Sequence, residues 1–392
     1  MNWKTVYVAD IATEDRRIIA PESAEAIKLP YLGMEQIEPG TGEILTYQGN
    51  PSEGKSTTFA FDNRHVLYGK LRPYLNKVAM PDRAGRCSTE IIPLLPKSVN
   101  REFLSLLLRS DRLIAAAMAD KTGSRMPRAD MDALMAVEVE IPEAPEKQRQ
   151  IATSLNTKLA EVKIARKAAQ AQADDIALLR TRALKDALAA LDRMPLKVLG
   201  DHAPTTSGTT PSRSNKAYWS PAEIPWIKTG EVAFAPITQT DEAVSRKALD
   251  ECSLILLPPK TVLVAMYGQG KTRGQSAILE VHATTNQACF AILPNDTWTP
   301  EFLYHWLMVN YQNLRNLSEG RGGNQANLNG AMLKSLQVPA PSLTEQKEWV
   351  KRIQAVLSEV DAMKKANQTT LEELAALPQR LLAQAFNHRE AT

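Results

Sequence analysis

The chain has 392 residues, 44% of them hydrophobic and 23% charged, with 47 basic against 44 acidic residues and a formal net charge of +3. That length suits two or three domains with sizeable cores, and the near-balanced charge excludes a binder that draws its affinity from bulk positive charge. Cys87, Cys252 and Cys289 lack CxxC spacing, which excludes a disulfide framework and a zinc site. No charged-then-apolar leader opens the chain, so no signal peptide is expected. The most apolar run, Ser253 to Tyr267, is broken by Pro258, Pro259 and Lys260 and cannot span a bilayer. A cytoplasmic protein is expected.

In chain order, a first mixed stretch contains a helix predicted over Arg101–Leu108 and closes at Pro142 and Pro145. From about Glu146 to Asp192 there is no glycine and no proline, and good helix formers dominate. Pro195 opens a second mixed stretch. Strands are predicted there at Ser253–Leu257, Val262–Ala265 and Ala288–Leu293, and a helix at Glu301–Val309. Pro339 and Pro341 close it, and a second long helix follows. Glu146 and Glu345 sit near helix N-termini, where negative charge is favourable.

The chain repeats itself at half its length. Leu159, Glu161, Val162, Leu179, Arg182, Leu184 and Ala187 recur 198 residues later as Leu357, Glu359, Val360, Leu377, Arg380, Leu382 and Ala385. More faintly, Leu29–Ile37 matches Ile224–Val232, and Glu102-Phe103-Leu104 matches Glu301-Phe302-Leu303. The expected division is 1–142, 143–193, 194–340 and 341–392: globular, helical, globular, helical.

In the second helix Ile353, Val356, Val360, Met363, Asn367, Thr370, Leu374, Leu377 and Leu381 follow steps of three and four, a coiled-coil seam. The first helix offers Leu155, Lys158, Val162, Ala165, Ala169, Gln172, Ile176, Leu179 and Ala183. Each stripe needs a cover, and an antiparallel pairing of the two helices is the economical one. A helix of ~45 residues would be roughly 70 Å long. Asn367 and Gln172 are candidates for fixing register, and Pro378 is expected to kink or restart the second helix. The fold class is therefore α/β (α+β), with two pseudo-repeated globular domains separated by two long antiparallel coiled-coil helices.

Catalytic signatures are missing. Ala265–Thr272 fits a relaxed phosphate-loop pattern, but Arg273-Gly-Gln-Ser276 and a strand-like run follow instead of a helix. The five histidines are scattered, with no HExxH. What remains are polar, basic loops in matching places. The first domain offers Lys70, Arg72, Tyr74, Asn76 and Lys77, then Arg125 and Arg128. The second offers Ser207, Thr209, Thr210 and Arg213, then Tyr267, Gln269, Lys271 and Arg273, and finally Arg321, Asn324, Gln325 and Asn327. Arg and Lys read guanine edges, and Asn and Gln adenine edges, in a DNA major groove. Two other readings stand beside this one: a nucleotide-binding enzyme using Lys271 and Thr272, and a structural coiled-coil protein.

Tyr68–Lys77, Cys87-Ser-Thr-Glu90, Ile224–Gly230, Thr285–Cys289 and Val338–Gln346 together resemble the specificity subunit of type I restriction-modification enzymes. The resemblance implies two target recognition domains, each reading half of a bipartite site on double-stranded DNA. It implies that the helix pair sets the spacer and docks modification subunits, two of them, which bind S-adenosylmethionine. It further implies a motor-nuclease subunit in the complex, and no cofactor or catalysis in this chain. Two departures stand out: the first helix opens with Pro145-Glu-Lys-Gln148, one residue shorter than usual, and the Ser207–Pro211 loop has no counterpart in the first domain.

Overall fold

The computed structural model describes residues 2–21, 23–47, 56–119, 126–268, 270–318 and 327–386. The chain forms two compact units: Met1–Ala171 with Gln368–Thr392, and Gln172–Asn367. Each unit thus combines a globular part with the start of one long helix and the end of the other.

In the first unit, strands Ala12–Glu14, Ile91–Pro96, Val66–Gly69 and Val78–Ala79 form one four-stranded sheet in that order. Ile18–Ile19, Thr58–Phe61, Gly85–Ser88 and Tyr31–Leu32 form another. The apolar run Val66-Leu-Tyr-Gly69 is buried on both faces, as a central strand must be. Helix Arg101–Leu108 is capped by Asn100, whose Oδ1 accepts from the Phe103 amide at 2.9 Å. It lays Phe103, Leu104, Leu107 and Leu108 into the core.

The second unit repeats this plan. Thr205–Ser207, Cys289–Ile292, Val262–Ala265 and Ser276–Leu279 follow the same order, with Pro236–Ile237 added at one edge. Ile224–Ile227 runs parallel to Thr284–Thr285, as Tyr31–Leu32 does to Gly85–Ser88. The faint repeat around Leu29 and Ile224 extends to side chains: Gln36 Oε1 accepts from the Gly33 amide at 2.6 Å, and Glu231 Oε2 from the Lys228 amide at 2.7 Å. The prediction over Ser253–Leu257 is corrected. This segment is not a strand; Ser253 takes a left-handed backbone (φ 52°) after helix Arg246–Glu251, and only Leu257 makes an isolated bridge, to Ala283.

The long helices run Pro145–Ala189 (45 residues) and Leu343–Phe386 (44 residues). In the first unit Ala152 and Leu155 share a core with Leu382 and Phe386. Further along, Leu159–Gln170 line a groove with Leu371–Gln379, so the two helices are antiparallel there. In the second unit Trp349, Val350 and Ile353 pack with Leu184, Ala187 and Leu188, and the Trp349 indole donates to the Ala187 carbonyl at 2.9 Å. These are the same positions one repeat apart.

Burial along the stripes is narrower than the sequence pattern. Leu155, Val162, Ala169 and Ile176 are buried, and so are Ile353, Val360 and Asn367: one position per heptad. The alternating members Lys158, Gln172, Leu179, Met363 and Thr370 are exposed. Gln172 therefore does not act as a buried register residue. Pro378 does not restart the second helix, which is continuous through it; Leu382 and Phe386 beyond it are anchored in the first unit's core, which holds the helix across the missing amide bond.

A buried glutamine fastens each long helix to its globular part. Gln148 Oε1 accepts from the Asn100 amide (2.8 Å) and its Nε2 donates to the Pro142 carbonyl (2.9 Å). Gln346 Oε1 accepts from the Thr299 amide (2.8 Å) and its Nε2 donates to the carbonyls of Thr297 (2.8 Å) and Pro341 (2.9 Å). Both are the fourth residue of their helix, so the shorter opening of the first helix keeps the contact. Gln346→Leu leaves three groups unpaired, of which two are part-buried and can be re-hydrated, and is expected to cost about 2–4 kcal/mol. Urea unfolding measures it; a loss below about 0.5 kcal/mol contradicts the clasp.

Cys87 and Cys289 are buried and Cys252 is partly exposed. Burial pushes the Cys87 thiol well above its ordinary range and the Cys289 thiol up to about 12. Iodoacetamide at neutral pH is expected to label Cys252 in the native protein and all three only on unfolding. Fast native labelling of Cys87 or Cys289, read by mass spectrometry, would contradict this.

Candidate nucleic-acid interface

Each unit has a central strand that ends in a loop, and a sequence-distant loop is hydrogen-bonded onto it. In the first unit Val66–Gly69 leads into Lys70. The Lys70 amide donates to the Glu90 carbonyl (2.8 Å), and its own carbonyl accepts from Ala129 (2.7 Å). The Arg72 amide donates to the Pro127 carbonyl (2.7 Å), and Leu71 bridges to Arg128. The loop of Lys70–Lys77 and the loop carrying Arg128 are thus one surface.

Its shape is held from within. Arg72 and Asn76 both take a left-handed backbone (φ 52° and 49°) on either side of the 3-10 turn Pro73–Leu75, a conformation that non-glycine residues adopt only when the surroundings hold it. Asn76 is buried and its Nδ2 donates to the Arg109 carbonyl at 2.9 Å. Lys77 is buried and its Nζ donates to the Met34 carbonyl at 2.6 Å; desolvation lowers its pKa. Asn76 and Lys77 therefore support the turn, while Arg72 and Tyr74 (53% exposed) project from it and Lys70 is half-buried. Arg128 is exposed, with its guanidinium forked onto Glu90 through Nε (3.0 Å) and Nη2 (2.9 Å).

In the second unit Val262–Ala265 leads into a turn that begins at Met266 and rejoins the sheet at Ser276–Leu279. The Leu328 amide donates to the Met266 carbonyl (3.1 Å), which brings Asn327 beside this turn. Tyr267 and Lys271 are exposed and Arg273 is buried. The Tyr311 hydroxyl donates to the Lys271 carbonyl (2.7 Å) and Arg315 Nη1 to the Arg273 carbonyl (3.1 Å). The residue run resembling a phosphate loop passes straight into strand Ser276–Leu279. No helix N-terminus follows it to hold a phosphate.

The Ser207–Arg213 loop is seated on the strand end at Thr285. The Thr209 amide donates to the Thr285 carbonyl (2.9 Å), and the Trp226 indole donates to the Thr209 carbonyl (3.1 Å). The Thr210 hydroxyl donates to Gln287 Oε1. A Cβ on Gly208 would lie 1.8 Å from the Thr285 carbonyl oxygen, so only glycine fits. Ser207, Thr210 and Arg213 are exposed. The Arg213 guanidinium stacks on Trp219, 3.8 Å from the ring centroid, and pairs with Glu242, which also takes Lys228 at 3.1 Å. The Arg213 hydrogen bond is the chief cause of Glu242's lowered pKa.

Sequence reasoning missed Glu90, Glu242, Trp219 and Trp226, which fix Arg128 and Arg213. Glu90 and Trp226 lay within the motifs Cys87-Ser-Thr-Glu90 and Ile224–Gly230, but nothing in those motifs tied them to Arg128 and Arg213; Trp219 and Glu242 carried no signal. Arg125, Gln269, Arg321, Asn324 and Gln325 lie outside the described residues. Among the described residues no group of three or more His, Cys, Asp or Glu could hold a metal ion, and no helix is long and apolar enough to cross a membrane.

The family model for the type I restriction modification DNA specificity domain matches residues 1–170 and again 196–373. The chain belongs to this family. Among its curated specificity-family relatives is the type I restriction enzyme MjaIX specificity subunit of Methanocaldococcus jannaschii, 31% identical over 188 residues, covering 46% of this chain and 41% of that protein. The HindI specificity subunit of Haemophilus influenzae is 26% identical over 260 residues, covering 65% and 54%. The chain thus aligns with about half the length of these relatives. Two solved structures share the fold. One comes from work on complex assembly and conformational transition of the type I R-M system: TM-score 0.79, 20% identity, covering 98% of this chain and 97% of that one. The other is the HsdS subunit from Thermoanaerobacter tengcongensis: TM-score 0.67, 19% identity, covering 98% and 97%.

Proposed function

We propose that this chain is the sequence-reading, non-catalytic subunit of a type I restriction-modification complex. Residues 1–142 and 194–340 each read one half of a split double-stranded DNA site, and the long helices Pro145–Ala189 and Leu343–Phe386 set the gap between the halves. The observation that carries this reading is the doubled loop pair: Lys70–Lys77 with Arg128 in one unit, Tyr267–Arg273 with Asn327 in the other. Family membership supports it.

In this reading Arg72, Tyr74 and Lys70, with Tyr267, Lys271, Ser207, Thr210 and Arg213, are the groups presented to bases and phosphates. Asn76, Lys77 and Arg273 position them. Arg125, Gln269, Arg321, Asn324, Gln325, Thr209 and Asn327 complete the set assigned from sequence. Arg213 and Arg128 approach DNA already oriented by Glu242 and Glu90, so their forks are preorganised for a guanine edge. Two modification subunits carrying S-adenosylmethionine would do the methylation, and a motor-nuclease subunit the cleavage. The chain itself would bind no cofactor and work in the cytoplasm. Replacing residues 194–340 by the matching part of another family member tests the reading. The methylated motif should change in one half and keep the other; a motif unchanged by the exchange overturns it.

A further inference from the structure

The first unit also holds a groove behind the loops that project outward. A groove of about 560 Å³ lies between the turn Glu38–Glu43, the first long helix and the end of the second. Its volume is in the range of small-molecule sites, roughly 300–1,000 Å³. Its floor is apolar, from Leu159, Val162 and Leu371, and its charged lining is Arg109, Lys163, Arg166 and Lys167 against Glu38 and Glu43.

Arg109 is the unusual group. It is 7% exposed, its Nη2 is used by the Gly40 carbonyl, and its Nε has no hydrogen-bond partner. It forms no ion pair among the described residues, and desolvation pushes its pKa down to about 10. A buried guanidinium without a counter-charge is costly, because the lost hydration is not replaced. The nearby carboxylates are engaged elsewhere: Glu43 pairs with Lys163, and Glu38 accepts from the Thr41 hydroxyl. Arg166 and Lys167 are exposed and make no ion pair among the described residues. The groove thus has positive charge to spare and a buried, unused donor.

We propose that this groove binds a small molecule bearing a carboxylate or phosphate group, with Arg109 as the buried counter-charge and Arg166 and Lys167 at the mouth. With Nη2 taken by Gly40, the Arg109 guanidinium keeps N–H donors for an oxygen of such a group. The occupied groove would also brace the first reading loop, since the Arg109 carbonyl holds Asn76 and the Gly40 amide holds the Leu75 carbonyl at 2.9 Å.

The test is the thermal midpoint of the full chain in chloride buffer, with inorganic phosphate or citrate added at equal ionic strength. The wild type should rise saturably by about 3 °C or more. Arg109→Met keeps the stem and removes the charge. It should match or exceed the wild type in chloride and lose the saturable rise, leaving only the general salting effect of such anions. Arg166→Ala with Lys167→Ala, both on the surface, should weaken the response about ten-fold without changing the midpoint in chloride. No saturable rise in the wild type, or the same rise in Arg109→Met, overturns the proposal. Were Arg109→Met not to fold, an unchanged response in the double variant would overturn it.

Discussion

Trp298→Ala is expected to lower the stability of the second unit by about 3–5 kcal/mol, the usual cost of removing a buried aromatic side chain. Trp298 is fully buried in a core with Phe302 and Leu303, and its indole donates to the Pro339 carbonyl at 2.8 Å. That carbonyl belongs to strand Gln337–Pro339, which leads into the second long helix. The substitution therefore opens a cavity and orphans a buried acceptor at once. Urea unfolding followed by tryptophan fluorescence measures it. The first unit, whose core holds Phe103 and Phe386 instead, should keep its own transition. A loss under about 1 kcal/mol would mean that the site collapses around the missing ring.

Gly208→Ala is expected to cost recognition more than stability. Its Cβ would meet the Thr285 carbonyl oxygen at 1.8 Å and the carbonyl carbon at 2.3 Å, backbone atoms that cannot swing aside. The Ser207–Arg213 loop must then leave its seat, and the Thr209 and Trp226 hydrogen bonds go with it. Discrimination at one half of the site should fall by roughly 100-fold, about 2.7 kcal/mol, while the other half is read as before. Competition binding of the assembled complex with DNA altered in one half at a time gives both numbers. Equal losses in both halves would show that the loop serves general stability instead.

The repeat was the most legible feature, and it carried the fold. Helix Arg101–Leu108, strand Val262–Ala265 and both long helices stand where capping residues, prolines and apolar runs put them. The failures have physical causes. Ser253–Leu257 has strand composition, but a left-handed Ser253 turns the chain away from any sheet partner. The heptad pattern gave the stripe's direction yet overstated its width, since burial depends on what covers a helix and not on its own periodicity. Pro378 does not restart the helix, because Leu382 and Phe386 beyond it are held in the first unit's core.

The candidate interface was half legible. Composition picked out the loops, but could not separate Arg72 and Tyr74, which project, from Asn76 and Lys77, which are buried supports two to five residues away. That distinction comes from the two left-handed residues of the turn and from Met34 and Arg109, distant in sequence. The same distance hid Glu90 and Glu242.

The central claim is that this chain chooses where DNA is modified. The direct measurement is to express it with a cognate modification subunit in a methylation-free bacterium and sequence the DNA for modified bases. The account predicts a split motif with a fixed gap that disappears when this chain is left out. Methylation that persists without the chain, or none with the complex assembled and S-adenosylmethionine present, would contradict it.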